Sequence, residues 1–553
     1  LRQEKYGFNL GPYENPCRAH WATPDDPFPE DFSFQLFPDD LERLEWHIND
    51  AMARVPLLAQ ANLTKVINGP IPYTPDGNPL IGPMPGVPNA YEACVFTFGI
   101  CQAGGAGKVL AEWVTEGATE WDMWSCDPRR FTGWEDPDYC VKKGMEVYGH
   151  EYAIHFPHHT WPEGRMKRLS AVHDRTAALG AQFGPYNGWE RALWYARPGD
   201  DTSEAAQQTW EREGPWFGAV REECLAVRDA CGILDLPGFS RFMLTGDGAA
   251  AWLSAQVTGK LPSVGRLGLA YFADDKGRIV TEMSVARMGE DQFLLITAAT
   301  AQLHDKEWLL RHLAPGLSLY DASEEWSCQI LTGPKSRDVL AACSDADLAK
   351  GWLTFQKATI AGAEVYLFRV SFAGELGWEI HSPVADTRRV WDAVMAAGKP
   401  QGLRPFGMFA LNSLRVEKGY RAWKGDLSTD YTVLQGGLER FVDWTKPDFR
   451  GKAALAAEKQ AGVTKRFVTL TVQAGECDPP YMSTIWHGGK VVGETTSGYF
   501  GHRVGKVVAL GMLRADLTVP GTAVEVEIFG TRYPATVQED APLWDAKNER
   551  LRA

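Results

Sequence analysis

No apolar run approaches the length needed to span a membrane, and residues 1–20 lack a charged-then-apolar signal pattern. The chain therefore reads as soluble, with no membrane partner. It has no block of Lys or Arg, and 56 basic against 71 acidic residues leave a net charge of -15. That balance excludes nucleic-acid backbones and anionic lipid surfaces, which need clustered positive charge. An anionic ligand then requires a local basic pocket. Ten cysteines are scattered without a CxxC pair, which suits reduced thiols in a reducing compartment and neither a disulfide framework nor a zinc site. No G-x-G-x-x-G follows a strand near the amino terminus, so a dinucleotide has no visible binding element. Repeats and low-complexity tracts are also missing.

What is present fills several domains: 553 residues with 44% apolar content suit about three or four cores. The chain starts at Leu1 rather than Met, with a strand, a turn at Gly7 and a second strand, and so reads as beginning inside a domain. Asp39 is placed to cap a helix whose Leu41, Leu44, Ile48 and Met52 recur on one face to be buried. Residues 96–113 read as strand, glycine loop and helix. Gly104, Gly105 and Gly107 let backbone approach a ligand there, or make only a tight turn. In HFPHH, His155, His158 and His159 have no carboxylate or Cys at matching spacing, so they read as surface histidines and no metal is expected. Helices are predicted over 222–231 and 388–397. GRIVTEMSVARM and QFLLITAA read as paired strands, and 465–540 as short alternating strands parted by turns such as Gly488-Gly489, a small β-barrel.

Two segments carry most of the chemistry: FAGELGWEIH at 372–381 and LNSLRVEKGYRAWKGD at 411–426. Glu375 offers a carboxylate between glycines, Arg415 a fork of donors, and Tyr420 and Trp423 flat faces. Such a set binds a polar heterocycle: the carboxylate accepts paired N–H bonds from the ring edge, aromatics cover it, and Arg holds an anionic tail. The same residues equally suit an edge strand and a helix-surface ion pair. Glu282, in GRIVTEM, falls on the strand face opposite Met283 and Val285; it is a candidate acid–base group or a solvent-facing strand residue. Tyr271, before the turn at 274–277, either covers a ligand or fills core.

These segments, with 244–299 and 437–455, resemble in order and spacing the folate-binding domain of the glycine-cleavage T-protein (aminomethyltransferase) family. Residues 1–14, 68–91 and 96–114 resemble the carboxyl-terminal part of an amine-oxidising flavoprotein domain, and 164–199 a connecting module. That succession resembles the dimethylglycine dehydrogenase and sarcosine dehydrogenase family. The resemblance implies an α+β multidomain chain: the carboxyl-terminal remnant of an FAD-dependent oxidoreductase domain (1–122), a connecting module (123–205), a T-protein-like folate domain (206–455) and a terminal β-barrel (456–553).

It also implies an oxidoreductase of one-carbon metabolism. FAD takes a hydride equivalent from an N-methylated amino acid, and tetrahydrofolate captures the carbon as 5,10-methylenetetrahydrofolate. The alternatives are a folate-dependent aminomethyl or methyl transferase without a redox step, and a non-catalytic folate-binding subunit. By this resemblance Glu282 stands where the family has a catalytic aspartate, Glu375 faces the pterin, and Arg415, Tyr271 and Tyr420 serve folate. Gly104, Gly105 and Gly107 lie against the flavin ring, the only flavin contacts implied for this chain. A flavoprotein subunit or electron acceptor is an implied partner, and the compartment is the cytoplasm, or the mitochondrial matrix in a eukaryote. Three departures stand out: Glu for Asp at 282, Phe372 where the motif Y-x-G-E-x-G has Tyr, and TVLQGGL at 432–438 in place of T-P-L-E-A-G-L. The last puts substrate preference in doubt.

Overall fold

A computed structural model describes residues 1–539 and 542–553. The chain separates into two units, residues 1–155 with 161–165, and residues 156–160 with 166–553. The division falls inside the stretch predicted as a connecting module.

The first unit holds the hairpin Arg2–Glu4 and Gly7–Asn9, the helix Glu45–Arg54, the hairpin Leu80–Pro83 and Tyr91–Cys94, and the helices Ile100–Glu116 and Pro137–Gly149. Its small core is Ile81, Ala106, Val109 and Trp113. Asp136 caps the third helix by accepting from the Tyr139 amide at 2.7 Å, with Pro137 at the first position, where no amide partner is lost. The first helix departs from its reading. Asp40, not Asp39, accepts from the Arg43 amide, and a 3-10 turn over Glu42–Leu44 precedes the helix. No residue of this helix is fully buried; its Ile48 and Met52 line a cavity of about 1700 Å³ together with Tyr73 and Tyr148.

In the second unit, strand-forming runs with apolar alternation build two sheets. The five-stranded sheet is antiparallel, in the order Ser318–Asp321, Ser240–Thr245, Gln292–Thr297, Ile279–Gly289, Leu267–Ala273. The strand pair read from GRIVTEMSVARM and QFLLITAA is its centre. Met283 and Val285 are fully buried with Phe242, Phe272 and Phe293.

The six-stranded sheet runs Phe355–Ile360, Ala363–Phe368, Gly377–Pro383, Trp326–Thr332, Cys231–Asp235, Leu403–Pro405, with only the last pair parallel. Thr387–Gly398 packs Val390, Trp391 and Val394 into its core. Phe217–Asp229 and Met408–Glu417 bury Val220, Cys224, Val227, Leu411 and Leu414 in a second cluster. Both segments read as helical are largely helical, but the first runs Phe217–Asp229, starting earlier because Ala219 and Val220 continue its apolar stripe and ending before Cys231, which opens a strand.

A closed barrel follows: Lys465–Val472, Lys506–Arg514, Lys490–Gly501, Thr484–His487, Ala523–Ile528, Thr531–Val537. Gly488 and Gly489 take positive φ (58° and 76°) at the tight turn, where a side chain would be strained. Among the described residues no helix is long and apolar enough to cross a membrane.

Candidate functional site

Glu282 and Tyr271 stand directly opposite each other on the strands Ile279–Gly289 and Leu267–Ala273. Asp274 shapes the connecting turn by accepting from the amides of Lys276 (2.9 Å) and Arg278 (2.8 Å). Because Met283 and Val285 take the core face, Glu282 projects from the other side. There the buried Tyr271 phenol neighbours its carboxylate. Burial pushes the Glu282 pKa up to about 7; the Tyr271 phenol and the nearby Arg421 guanidinium pull in the opposite direction. Burial and Glu282 together raise the Tyr271 phenol well above its ordinary value. Phe441 packs 5.0 Å from the Tyr271 ring, and Arg421 lies 4.0 Å over Phe467. Tyr271 thus fills core, one of its two readings, while standing opposite Glu282.

Glu375 is fully buried. It lies not in a strand but in the bend two residues before the strand Gly377–Pro383, which is flanked by two others, so the edge-strand alternative falls away. Gly374 before it has φ 76°, and a Cβ there would sit 2.2 Å from Lys418 Cγ, so only glycine fits. Glu375 Oε1 accepts from Arg503 Nη1 at 2.9 Å and Trp544 Nε1 at 2.7 Å, and Oε2 from Arg550 Nε at 2.7 Å. Arg503 also pairs with Glu417 and donates to the Leu414 carbonyl at 2.6 Å. None of these partners was visible in the sequence: Arg503 is 128 positions away and Arg550 175. No local motif marks them.

Arg415 is buried too, not on a helix surface. Nη1 donates to Asp426 at 2.5 Å and the Tyr420 carbonyl at 3.1 Å, and Nη2 to Ser497 at 2.8 Å. Asp426 in turn accepts from the Ala422 amide and Thr496. Arg415 thereby ties its helix to the barrel. Tyr420 stacks on Phe372 with centroids 5.9 Å apart at 16°, its phenol pushed up to about 12 by burial. The Arg440 guanidinium acts electrostatically on both Tyr271 and Tyr420. Glu282 and Tyr271 pair across adjacent strands, while Glu375 and Arg415 each sit inside a polar network, that of Arg415 including the Tyr420 carbonyl.

Gly104, Gly105 and Gly107 require a correction. They lie within the helix Ile100–Glu116, not in a loop before it; the turn is at Gly99, with φ 43°. The reason is the apolar series Ala106, Val109 and Trp113, which is buried at helical spacing and draws the glycines into the helix. All three glycines are exposed, and a Cβ at each would meet nothing within 4 Å.

Of the three histidines His155 is exposed, as read, but His158 is not a surface residue. His158 packs between Trp216 (4.4 Å) and Phe409 (4.6 Å), and burial lowers its pKa to about 4. Elsewhere Cys328, Glu379 and His381 cluster closely enough to suggest a metal. Arg241, however, donates to His381 Nδ1 at 3.3–3.4 Å, which leaves the proton on Nε2, donated to Glu379 at 3.0 Å. That nitrogen has no lone pair for a cation, and Arg241, His381 and Glu379 form a hydrogen-bonded chain.

The GCVT N-terminal domain profile matches residues 172–446, and that of the glycine cleavage T-protein C-terminal barrel domain 465–545. The FAD dependent oxidoreductase profile matches 10–113, and its central domain 116–170. Mitochondrial dimethylglycine dehydrogenase of Mus musculus is 35% identical over 100% of this chain and 64% of its own length. The chain belongs to the dimethylglycine dehydrogenase and sarcosine dehydrogenase family.

Mitochondrial sarcosine dehydrogenase of Homo sapiens, in the same family, is 30% identical over 100% of this chain and 65% of its own length. The chain thus spans less than two thirds of the curated dehydrogenases it matches. An aminomethyltransferase of Saccharopolyspora erythraea is 30% identical over 67% of this chain and 96% of its own length. The crystal structure of glycine cleavage system aminomethyltransferase T from Bartonella henselae superposes with TM-score 0.60 at 21% identity, covering 68% of this chain and 98% of that one. The family's succession of an FAD oxidoreductase part, a T-protein domain and a terminal six-stranded barrel is the architecture of this chain.

Proposed function

We propose that this chain carries the folate side of an oxidative demethylation, in which the methyl carbon of a dimethylglycine- or sarcosine-like amino acid ends as 5,10-methylenetetrahydrofolate. The observation that carries the reading is Glu282: a carboxyl whose pKa of about 7 lets it both give and take a proton near neutrality, on a T-protein fold. Tyr271, opposite Glu282 on the neighbouring strand, sets its phenol beside that carboxyl, so proton exchange with a folate nitrogen needs little reorganisation. Arg421 favours the ionised form, which stabilises positive charge on the carbon being transferred. Tyr420 and Phe372 offer flat faces to the pterin, and Glu375 a carboxylate to its edge.

Flavin, when bound, supplies the hydride acceptor for the N-methyl carbon. The exposed glycines 104, 105 and 107 fit close approach of its ring, since nothing occupies the space a side chain would take. Keeping oxidation and capture in one protein protects an iminium from water. The relatives' names support a mitochondrial location in a eukaryote.

Calorimetric titration with tetrahydrofolate, followed by assay of methylenetetrahydrofolate formation from dimethylglycine and sarcosine in the flavin-loaded protein, tests the reading. Saturable binding with product from either amine is expected. Binding without product from either would leave only a folate-binding module.

A further inference from the structure

The segment 542–553 lies against the folate domain through an unusually specific set of polar contacts. Trp544 donates its amide to the Glu417 carbonyl at 3.1 Å and its indole N–H to Glu375 Oε1. Arg550 donates Nε to Glu375 Oε2 and Nη2 to the Arg228 carbonyl. Lys418 holds the segment from below through the Asp545 carbonyl (3.0 Å) and Asn548 (2.9 Å), and Leu551 is buried. Asp545 closes the turn by accepting from the amides of Arg550 and Leu551, both at 3.1 Å.

A carboxylate offers about four lone-pair positions. Arg503 and Trp544 fill those of Oε1, and Arg550 takes one on Oε2, so a single position remains. A pterin edge needs one acceptor on each oxygen for its adjacent ring N–H and exocyclic amine. That edge is itself a guanidine unit, the chemistry Arg550 presents. Releasing Trp544 and Arg550 frees one position on Oε1 and both on Oε2 while Arg503 stays in place. The Arg550 side chain is 38% exposed, so an incoming ring can compete with it from solvent.

Resting on the reading of Glu375 as the pterin partner, we propose that the segment 544–553 is an autoinhibitory strap whose Trp544 and Arg550 mimic the pterin edge, and that reduced folate binds by displacing them. The strap keeps a buried carboxylate paired while the site is empty and opens it only to a ligand with matching donors. Glu375 and Glu417 then share Arg503 alone, so ligands without that paired edge do not hold the site open.

The test uses the whole chain. Calorimetry with 5-formyltetrahydrofolate on Arg550→Ala and on Trp544→Phe with Arg550→Ala is expected to show roughly 5–10-fold tighter binding than the parent, as the competing donors are removed. Limited trypsin digestion read by mass spectrometry is expected to show faster cleavage at Lys547 and Arg550 of the parent when the ligand is present. Unchanged or weaker binding by the variants, or protection of these sites by ligand, overturns the strap. If the parent and Glu375→Gln bind equally well, the pterin assignment of Glu375 itself fails, which is a separate result.

Discussion

Tyr271 and Glu282 face each other across adjacent antiparallel strands, the phenol beside the acid. Register, not local sequence, makes this pair. One residue of slip would put Glu282 into the core occupied by Met283 and Val285.

Replacing Glu282 by Gln keeps size and much of the hydrogen bonding but removes the ionisable group. Folate affinity should change little, while methylenetetrahydrofolate formation falls by about 10²-fold or more, the scale of a positioned acid–base group. Flavin reduction by substrate stays intact, so a stopped-flow comparison of reduction and product formation separates the two. An equal rate of product in the Gln variant would reassign Glu282 to the strand alone.

Tyr271→Phe keeps the ring against Phe441 and deletes the O–H that lowers the Glu282 pKa. The pH midpoint of the folate-side step, expected near 7 in the parent, should move up by about one pH unit. Thermal stability should change by less than about 1.5 kcal/mol, because a neutral replacement keeps the packing. A midpoint that stays put would separate Tyr271 from the chemistry.

Arg415→Ala leaves Asp426 buried with Thr496 and the Ala422 amide but without its cation. A loss of about 3–5 kcal/mol is expected in urea unfolding, the cost of breaking a buried pair on one side. If Arg415 instead serves folate directly, the variant keeps most of its stability and loses ligand affinity.

Glu223 is buried and accepts from the amides of Tyr195 and Gly407, each at 2.8 Å, and burial pushes its pKa up to about 8. The folded state therefore holds this proton more tightly than the unfolded chain. The stabilisation is fully present below about pH 4.5 and is lost as pH rises through about 8, by about 1.4 kcal/mol for each pH unit crossed between those values. Asp235, pushed up to about 6, titrates with the same sign. Relative to the Glu223→Gln variant, the parent's unfolding free energy should fall between pH 5 and 8, whereas His158 contributes with the opposite sign to both. A parent-minus-variant difference that rises across that range contradicts the assignment.

Much was legible locally. Alternation of apolar residues located the strand pair around Glu282 and the terminal barrel strands, because a sheet with one buried face imposes period two on the sequence itself. The carboxylates at 282 and 375 and the arginine at 415 were found by motif. Their surroundings were not. The glycines at 104–107 read as a loop because glycine disfavours helix interiors, yet Ala106, Val109 and Trp113 packed on Ile81 outweighed that propensity. The pairing of Glu375 with Arg503, Trp544 and Arg550, and of Arg415 with Asp426 and Ser497, joins parts of the chain far apart in sequence. The sequence by itself determined which side chains carry charge and which elements they ride on, since both follow from composition and periodicity. Tertiary structure alone decided which carboxylate is left poised near neutrality and which is locked by cations, because that depends on burial and on partners brought together only by the packed fold.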